Sequence, residues 1–166
     1  MFEITPASST PDVIDSETLR ADLEDPIAAV VAVELSRRFV GLCLSWAEPM
    51  VADLAAQESM LRKPGGAELV ERLLAQRLYR RVEPHVLRMM QVCVPLEHAE
   101  VALARIEDVL RAQFGDVVRT ATGYLRTHDR DTAIQMVAVA TTMAGRQVRA
   151  KAAVILAAAT YSGEGQ

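Results

Sequence analysis

Apolar residues recur at three- and four-residue intervals along most of this chain, and strand-like alternation is sustained nowhere. Ile27, Val31, Leu35, Phe39, Leu42 and Trp46 fall at helical spacing, which predicts a long helix with that face in the core. Asp25-Pro26 supplies its start, because Asp accepts first-turn amides and proline's fixed φ suits the first helical position. Pro49 is expected to restart or kink this helix. Val51, Leu54, Ala55 and Leu61 carry the apolar side on to Lys63-Pro64-Gly65-Gly66, the sharpest stop signal in the chain.

Behind that stop, Val70, Leu74, Leu78, Val82, Val86, Met89, Met90 and Cys93 form a continuous stripe, predicting a helix from Ala67 to about Cys93. Pro84 lies inside it and predicts a kink near Arg80 to Pro84, since proline removes an amide donor and crowds the preceding turn. Pro95 opens a further helix with Leu96, Ala99, Leu103, Ile106, Leu110 and Phe114 inward, and Gly115 is expected to end it. Asp116 to Arg126 reads as a short helix or irregular connection. Thr127 to Asp131 reads as a turn with a capping aspartate. A last helix runs from Thr132 to about Tyr161, with a break expected at Gly145. Its segment Ala152 to Ala159 is apolar all round, which predicts burial in the domain or against another chain.

Upstream, residues 1–15 carry Pro6, Pro11 and several hydroxyl residues and read as an extended arm. Ser16 to Leu23 suits a short helix capped by Ser16. The reading is one helical domain over residues 16–166. Composition agrees: 51% hydrophobic residues suffice for one core, and the 4% of aromatics leave it to Ala, Val and Leu, which favour helix. The net charge of -4 argues against binding nucleic acid or anionic membrane by charge neutralisation. No apolar run is long enough to span a bilayer, and the first residues lack the pattern of a signal peptide, so a cytoplasmic location is expected.

Candidate chemistry is sparse. There is no GxSxG, HExxH, GxxxxGK[ST] or GxGxxG, and no catalytic group is assigned. His85, His98 and His128 lie on three different elements, and Cys43 and Cys93 stand apart, so no metal site is expected either. His85 borders the apolar stripe: it is either a ligand or hydrogen-bond partner for a buried planar cofactor, or a half-buried structural histidine beside a proline. Arg77, Arg81 and Arg88 share a face with Arg80 beside them. They form either a seat for carboxylates, such as tetrapyrrole propionates, or a solvated face paired with Glu68, Glu71 and Glu83.

The stretch from Lys63 to Gly115 resembles the phycobiliproteins, the bilin-carrying branch of the globin superfamily. Lys63-Pro64-Gly65-Gly66 matches the turn that precedes their chromophore-bearing helix, and Leu87-Arg88-Met89-Met90 matches that helix's end. Pro95 to Phe114-Gly115 matches the proline-started helix that follows. The family attaches bilin through a Cys, with an Asp three residues later. Counting from the glycines places Arg77 and Arg80 there, and counting back from Leu87-Arg88 places Tyr79 and Val82. With neither Cys nor Asp in place, the nearer likeness is to the phycobiliprotein-like globins associated with bilin biosynthesis. That resemblance implies an all-α, globin-like fold and non-covalent binding of a bilin or haem, with His85, Arg77, Arg80, Arg81 and Arg88 as site residues and bilin-making proteins as partners. The alternative is a cofactor-free interaction module, a homo-oligomer that buries Ala152 to Ala159 or the face of the first long helix.

Overall fold

The computed structural model describes residues 26–164, with backbone alone for 160–164. All regular structure among the described residues is helical, as the periodicity predicts. The elements are α1 (Pro26–Ala56), α2 (Glu58–Arg62), α3 (Gly66–Cys93), α4 (Leu96–Leu125) and α5 (Arg130–Glu164). The expected arm and the expected helix from Ser16 to Leu23 lie outside the described residues.

The four long helices alternate in direction. Contacts between Asp53 and Arg77 and between Arg38 and His85 set α1 antiparallel to α3. Those between Glu71 and Thr122 and between Tyr79 and Arg111 do the same for α3 and α4. Ser36 against Gly145 and Cys43 against Thr141 do it for α1 and α5. Helix α5 packs closely on both α1 and α4, whereas α1 and α3 meet in a much looser seam. The core is Ala, Val and Leu with few large rings, and Phe39 of α1 meets Phe114 of α4 across the bundle, centroids 4.5 Å apart.

Helix α1 begins at Pro26, as the Asp-Pro pair predicts, but runs through Pro49 without restarting. Its core face is wider than the six predicted positions: Ala28, Ala32, Cys43 and Ala47 join Val31, Leu35 and Phe39 inside, while Ile27 is 62% exposed at the helix start. The chain turns where the Pro-Gly-Gly predicts. Gly65 takes φ +73°, the left-handed region open to glycine, and Gly66 starts α3. A side chain on Gly66 would put its Cβ 1.9 Å from the Met60 carbonyl oxygen, so both glycines are required by local geometry. Helix α3 then runs unbroken through Pro84. Val70, Leu74, Leu78, Val82, Val86 and Met90 are buried as expected, and Met89 and Cys93 partly so.

Three expectations for the second half are overturned. Gly115 does not end α4, which continues to Leu125, absorbing the segment read as a separate connection. One glycine costs a helix about 1 kcal/mol, and the complete burial of Val117, Val118 and Ala121 just beyond it outweighs that. Gly145 does not break α5. It lets α1 approach, since a Cβ there would lie 2.5 Å from Val40 Cγ2. Leu96, placed on the inward face, is instead the first residue of α4 and 89% exposed, while His98 and Ala99 of the same turn are partly buried. The turn before α5 is as predicted, with the Asp129 carboxylate accepting the Thr132 amide at 2.8 Å. In Ala152 to Ala159, residues Ala152, Ala153, Leu156 and Ala157 are buried within this chain, so its apolar character is largely consumed inside the bundle.

Candidate functional site

Four of the five predicted site residues, Arg77, Arg81, His85 and Arg88, line one side of α3 along the α1–α3 seam. Periodicity placed them there, and the antiparallel pairing with α1 supplies their partners. Arg77 reaches Asp53 at 3.9 Å. One turn on, the Arg81 guanidinium lies over the Trp46 ring, 4.5 Å from its centroid, a cation–π contact that also covers the half-buried indole. Next comes His85, whose Nδ1 lies 2.6 Å from an Arg88 nitrogen and whose Nε2 lies 3.3 Å from an Arg38 nitrogen. Arg38 itself pairs with Glu34 at 3.3 Å. Arg80 is exposed and does not join this row.

A neutral imidazole has one lone-pair nitrogen, so it accepts from one guanidinium only. The shorter contact assigns that role to Nδ1 and Arg88, leaving the Nε2 proton toward Arg38. Partial burial first, and then the charges of Arg38 and Arg88, hold the His85 pKa below its ordinary value. The ring is therefore neutral near pH 7. Neither Arg38 nor Trp46, the latter read only as part of the core face of α1, was assigned to this site from the sequence: they lie 47 and 35 positions from their partners, and no local spacing signals such pairs.

Cavities lie elsewhere in the bundle. One of about 490 Å³ sits behind α2, floored by Leu54, Leu61 and Leu125 with Arg62 and Arg126 at its edge. Another, of about 500 Å³, is a groove between the first half of α3 and the second half of α4. A smaller one, about 220 Å³, opens between His98, Val101 and Ala102 of α4 and Ile155, Ala158 and Ala159 of α5.

The smaller cavity belongs to a larger feature. Because the helices alternate, the start of α1, the end of α3, the start of α4 and the end of α5 meet at one end of the bundle. Ile27, Val30, Val92, Leu96 and Val101 all lie there, and each is more than 60% exposed. Isolated exposed apolar residues are ordinary, whereas several gathered at one end form a surface that gains by being covered.

Neither cysteine adds to a site. Cys43 is buried among α1 and α5 side chains, and burial pushes its thiol up to about 12, so it is inert at neutral pH. Burial, reinforced by Glu107 and Glu83, likewise pushes the Tyr79 phenol up to about 12. Among the described residues no three His, Cys, Asp or Glu side chains gather as they would to hold a metal ion, and no helix is long and apolar enough to cross a membrane. Compared with models of protein families, with curated proteins and with solved structures, the chain has no significant match.

Proposed function

We propose that this protein is a non-catalytic interaction module that self-associates through the apolar end of its bundle. The observation that carries the reading is the gathering of Ile27, Val30, Val92, Leu96 and Val101 at that end, beside the cavity lined by Val101 and Ile155. Water-exposed side chains of this size each recover about 1.5–3 kcal/mol when fully covered. A two-fold dimer, in which the same patch meets itself, covers all of them at once. Of the two faces expected to pair, Ala152 to Ala159 or that of the first long helix, the former is half spent inside the bundle, where Ala152, Ala153, Leu156 and Ala157 are buried, and contributes only its Ile155 side.

Sedimentation equilibrium across the micromolar range tests this. The expected result is a dimer or larger assembly that Val92→Glu and Leu96→Glu each dissociate while the helical circular dichroism is unchanged. Both residues are too exposed for either change to disturb the monomer's core. A wild-type chain that stays monomeric at every concentration refutes the proposal.

A second reading is favoured by the row on the α1–α3 seam. A neutral imidazole, the Trp46 ring and the Arg38, Arg77, Arg81 and Arg88 guanidinium groups lie along the seam between α1 and α3, which is packed less closely than α5 is on α1 or α4. Parting of that seam would give the globin-type crevice implied by the resemblance. Arginine forks would take the propionates, and the ring would stack on Trp46. The ligand class is a non-covalently held bilin or haem, and the setting implied is bilin biosynthesis. Titration with haem and with biliverdin decides it. A Soret or red-band shift that His85→Ala and Arg88→Ala diminish supports the reading, and an unchanged spectrum with both ligands removes it.

A further inference from the structure

The groove between α3 and α4 has a composition unlike the rest of this acidic chain. Its rim carries Arg72 from α3, Arg111 and Arg119 from α4, and Arg126 at the end of α4. Its floor is kept open by small residues, Ala67 and Ala75 on one helix and Ala112 and Gly115 on the other. Larger side chains at these four positions would fill the space of about 500 Å³ that now lies between the guanidinium groups.

The four arginines are not equivalent. Arg111 is held by Glu107 at 2.6 Å. Arg119 is held by Asp116 at 2.6 Å and reaches Glu71 at 3.6 Å. Glu71 is itself largely buried and accepts the Thr122 hydroxyl at 2.9 Å, so it serves as an internal strut for Arg119. Arg72 and Arg126, by contrast, have no ion-pair partner among the described residues. Arg111 and Arg119 are thus matched by the carboxylates that hold them, and the positive charge left without an ion-pair partner in the groove is that of Arg72 and Arg126, with Glu68 the unpaired carboxylate beside them. The chain as a whole carries -4.

The first turn of α3 opens into the same groove at Ala67 and Glu68, and its N-cap is Gly65, which provides no side-chain acceptor for the first amides. The positive end of a 28-residue helix thus adds to the guanidinium field.

We infer that this groove binds a small, multiply charged oxyanion, with Arg72 and Arg126 as its direct partners and Arg119 as a braced third. Guanidinium forks match carboxylate and phosphate equally well in geometry. Both sources share the chemistry. Glu68, at the helix end, opposes the ligand and limits its affinity. The inference is independent of the self-association proposed above, which uses the other end of the bundle.

Calorimetric titration of the full chain with pyrophosphate, and separately with citrate, tests it at low and at near-physiological salt. One-to-one saturable binding of either anion is expected. The anion that binds tells phosphate from carboxylate recognition. Replacing Arg72 and Arg126 together by Gln weakens binding by about tenfold or more, the scale of losing one charge-assisted contact. Glu68→Gln tightens it. Arg80→Gln, an exposed arginine on α3 outside the groove, leaves it unchanged, and circular dichroism confirms that each variant is folded. Absence of saturable binding by both anions overturns the inference. So does an Arg80→Gln variant that loses as much affinity as the groove variants, since binding would then follow overall charge.

Discussion

The Ser36 hydroxyl donates to the Gly145 carbonyl oxygen at 2.7 Å, stitching α1 to α5 where the missing side chain lets their backbones approach. The two residues are 109 positions apart, and their contact sits at the middle of one of the most extensive helix pairs in the bundle.

Gly145→Ala tests that approach. In an open helix the change would stabilise by about 1 kcal/mol. Here the added Cβ would lie 2.5 Å from Val40 Cγ2 and 3.4 Å from Ser36 Oγ. Overpacking of this kind costs about 1–3 kcal/mol, so a net loss is expected. Gly41→Ala is the control: nothing lies within 4 Å of its Cβ, and a gain of about 0.5–1 kcal/mol is expected. Urea denaturation of both variants gives the comparison, and equal gains would mean that α1 and α5 do not approach as described.

The glycine pair before α3 makes an ordered prediction. Gly65→Ala forces a side chain to φ +73°, at about 1–2 kcal/mol. Gly66→Ala brings a Cβ against backbone, the Met60 carbonyl oxygen, which has no rotamer by which to move away. Its cost is expected to be the larger, about 2–4 kcal/mol. Thermal unfolding should rank Gly66→Ala below Gly65→Ala. The reverse order would contradict the α2–α3 turn.

Cys43 and Tyr79 set an alkaline limit on stability. Burial raises the thiol from about 9 to about 12, and raises the phenol from about 10 to about 12. The folded chain therefore holds these protons where the unfolded chain has released them. Their contribution to stability is full below about pH 9 and is lost as pH rises toward 12. The denaturation midpoint should fall across that window, and Cys43→Ala should flatten its first part. A thiol reagent at neutral pH should leave Cys43 unmodified until the chain unfolds, and rapid native labelling of Cys43 would contradict its burial.

His85 titrates in the opposite sense. Its folded pKa lies below the ordinary histidine value, through partial burial and then through Arg38 and Arg88. Whatever stability it contributes is present above about pH 6.5 and is lost as pH falls through the folded value. Proton NMR of the imidazole should show a lowered pKa that moves back up in Arg38→Ala and in Arg88→Ala. A pKa at or above the ordinary value would mean that the guanidinium groups do not flank the ring.

Much of the helical plan was legible in the chain because helix is a local property. Val70, Leu74, Leu78, Val82 and Val86 recur with the period of one helix face, and Pro26, Gly65-Gly66, Pro95 and Asp129 act within a turn of themselves. The misreadings share one cause. Gly115 and Gly145 have the same local chemistry as a glycine that ends a helix, and only the burial of Val117 and Val118 just beyond the one, and the approach of Val40 to the other, show that they sit mid-helix. Leu96 and Ile27 have the spacing of core residues but stand in the first turn of their helices, exposed to solvent.

The candidate sites divide in the same way. The sequence alone determined that α3 carries His85 and a face of arginines. Only the tertiary structure decided that Arg81 rests on Trp46, that His85 is flanked by guanidinium groups from two helices, and that Arg72 and Arg126 border one groove. Periodicity specifies which way a side chain faces along its own helix. What it faces depends on the register and angle at which another helix arrives, and those are set by the summed packing of residues dozens of positions away.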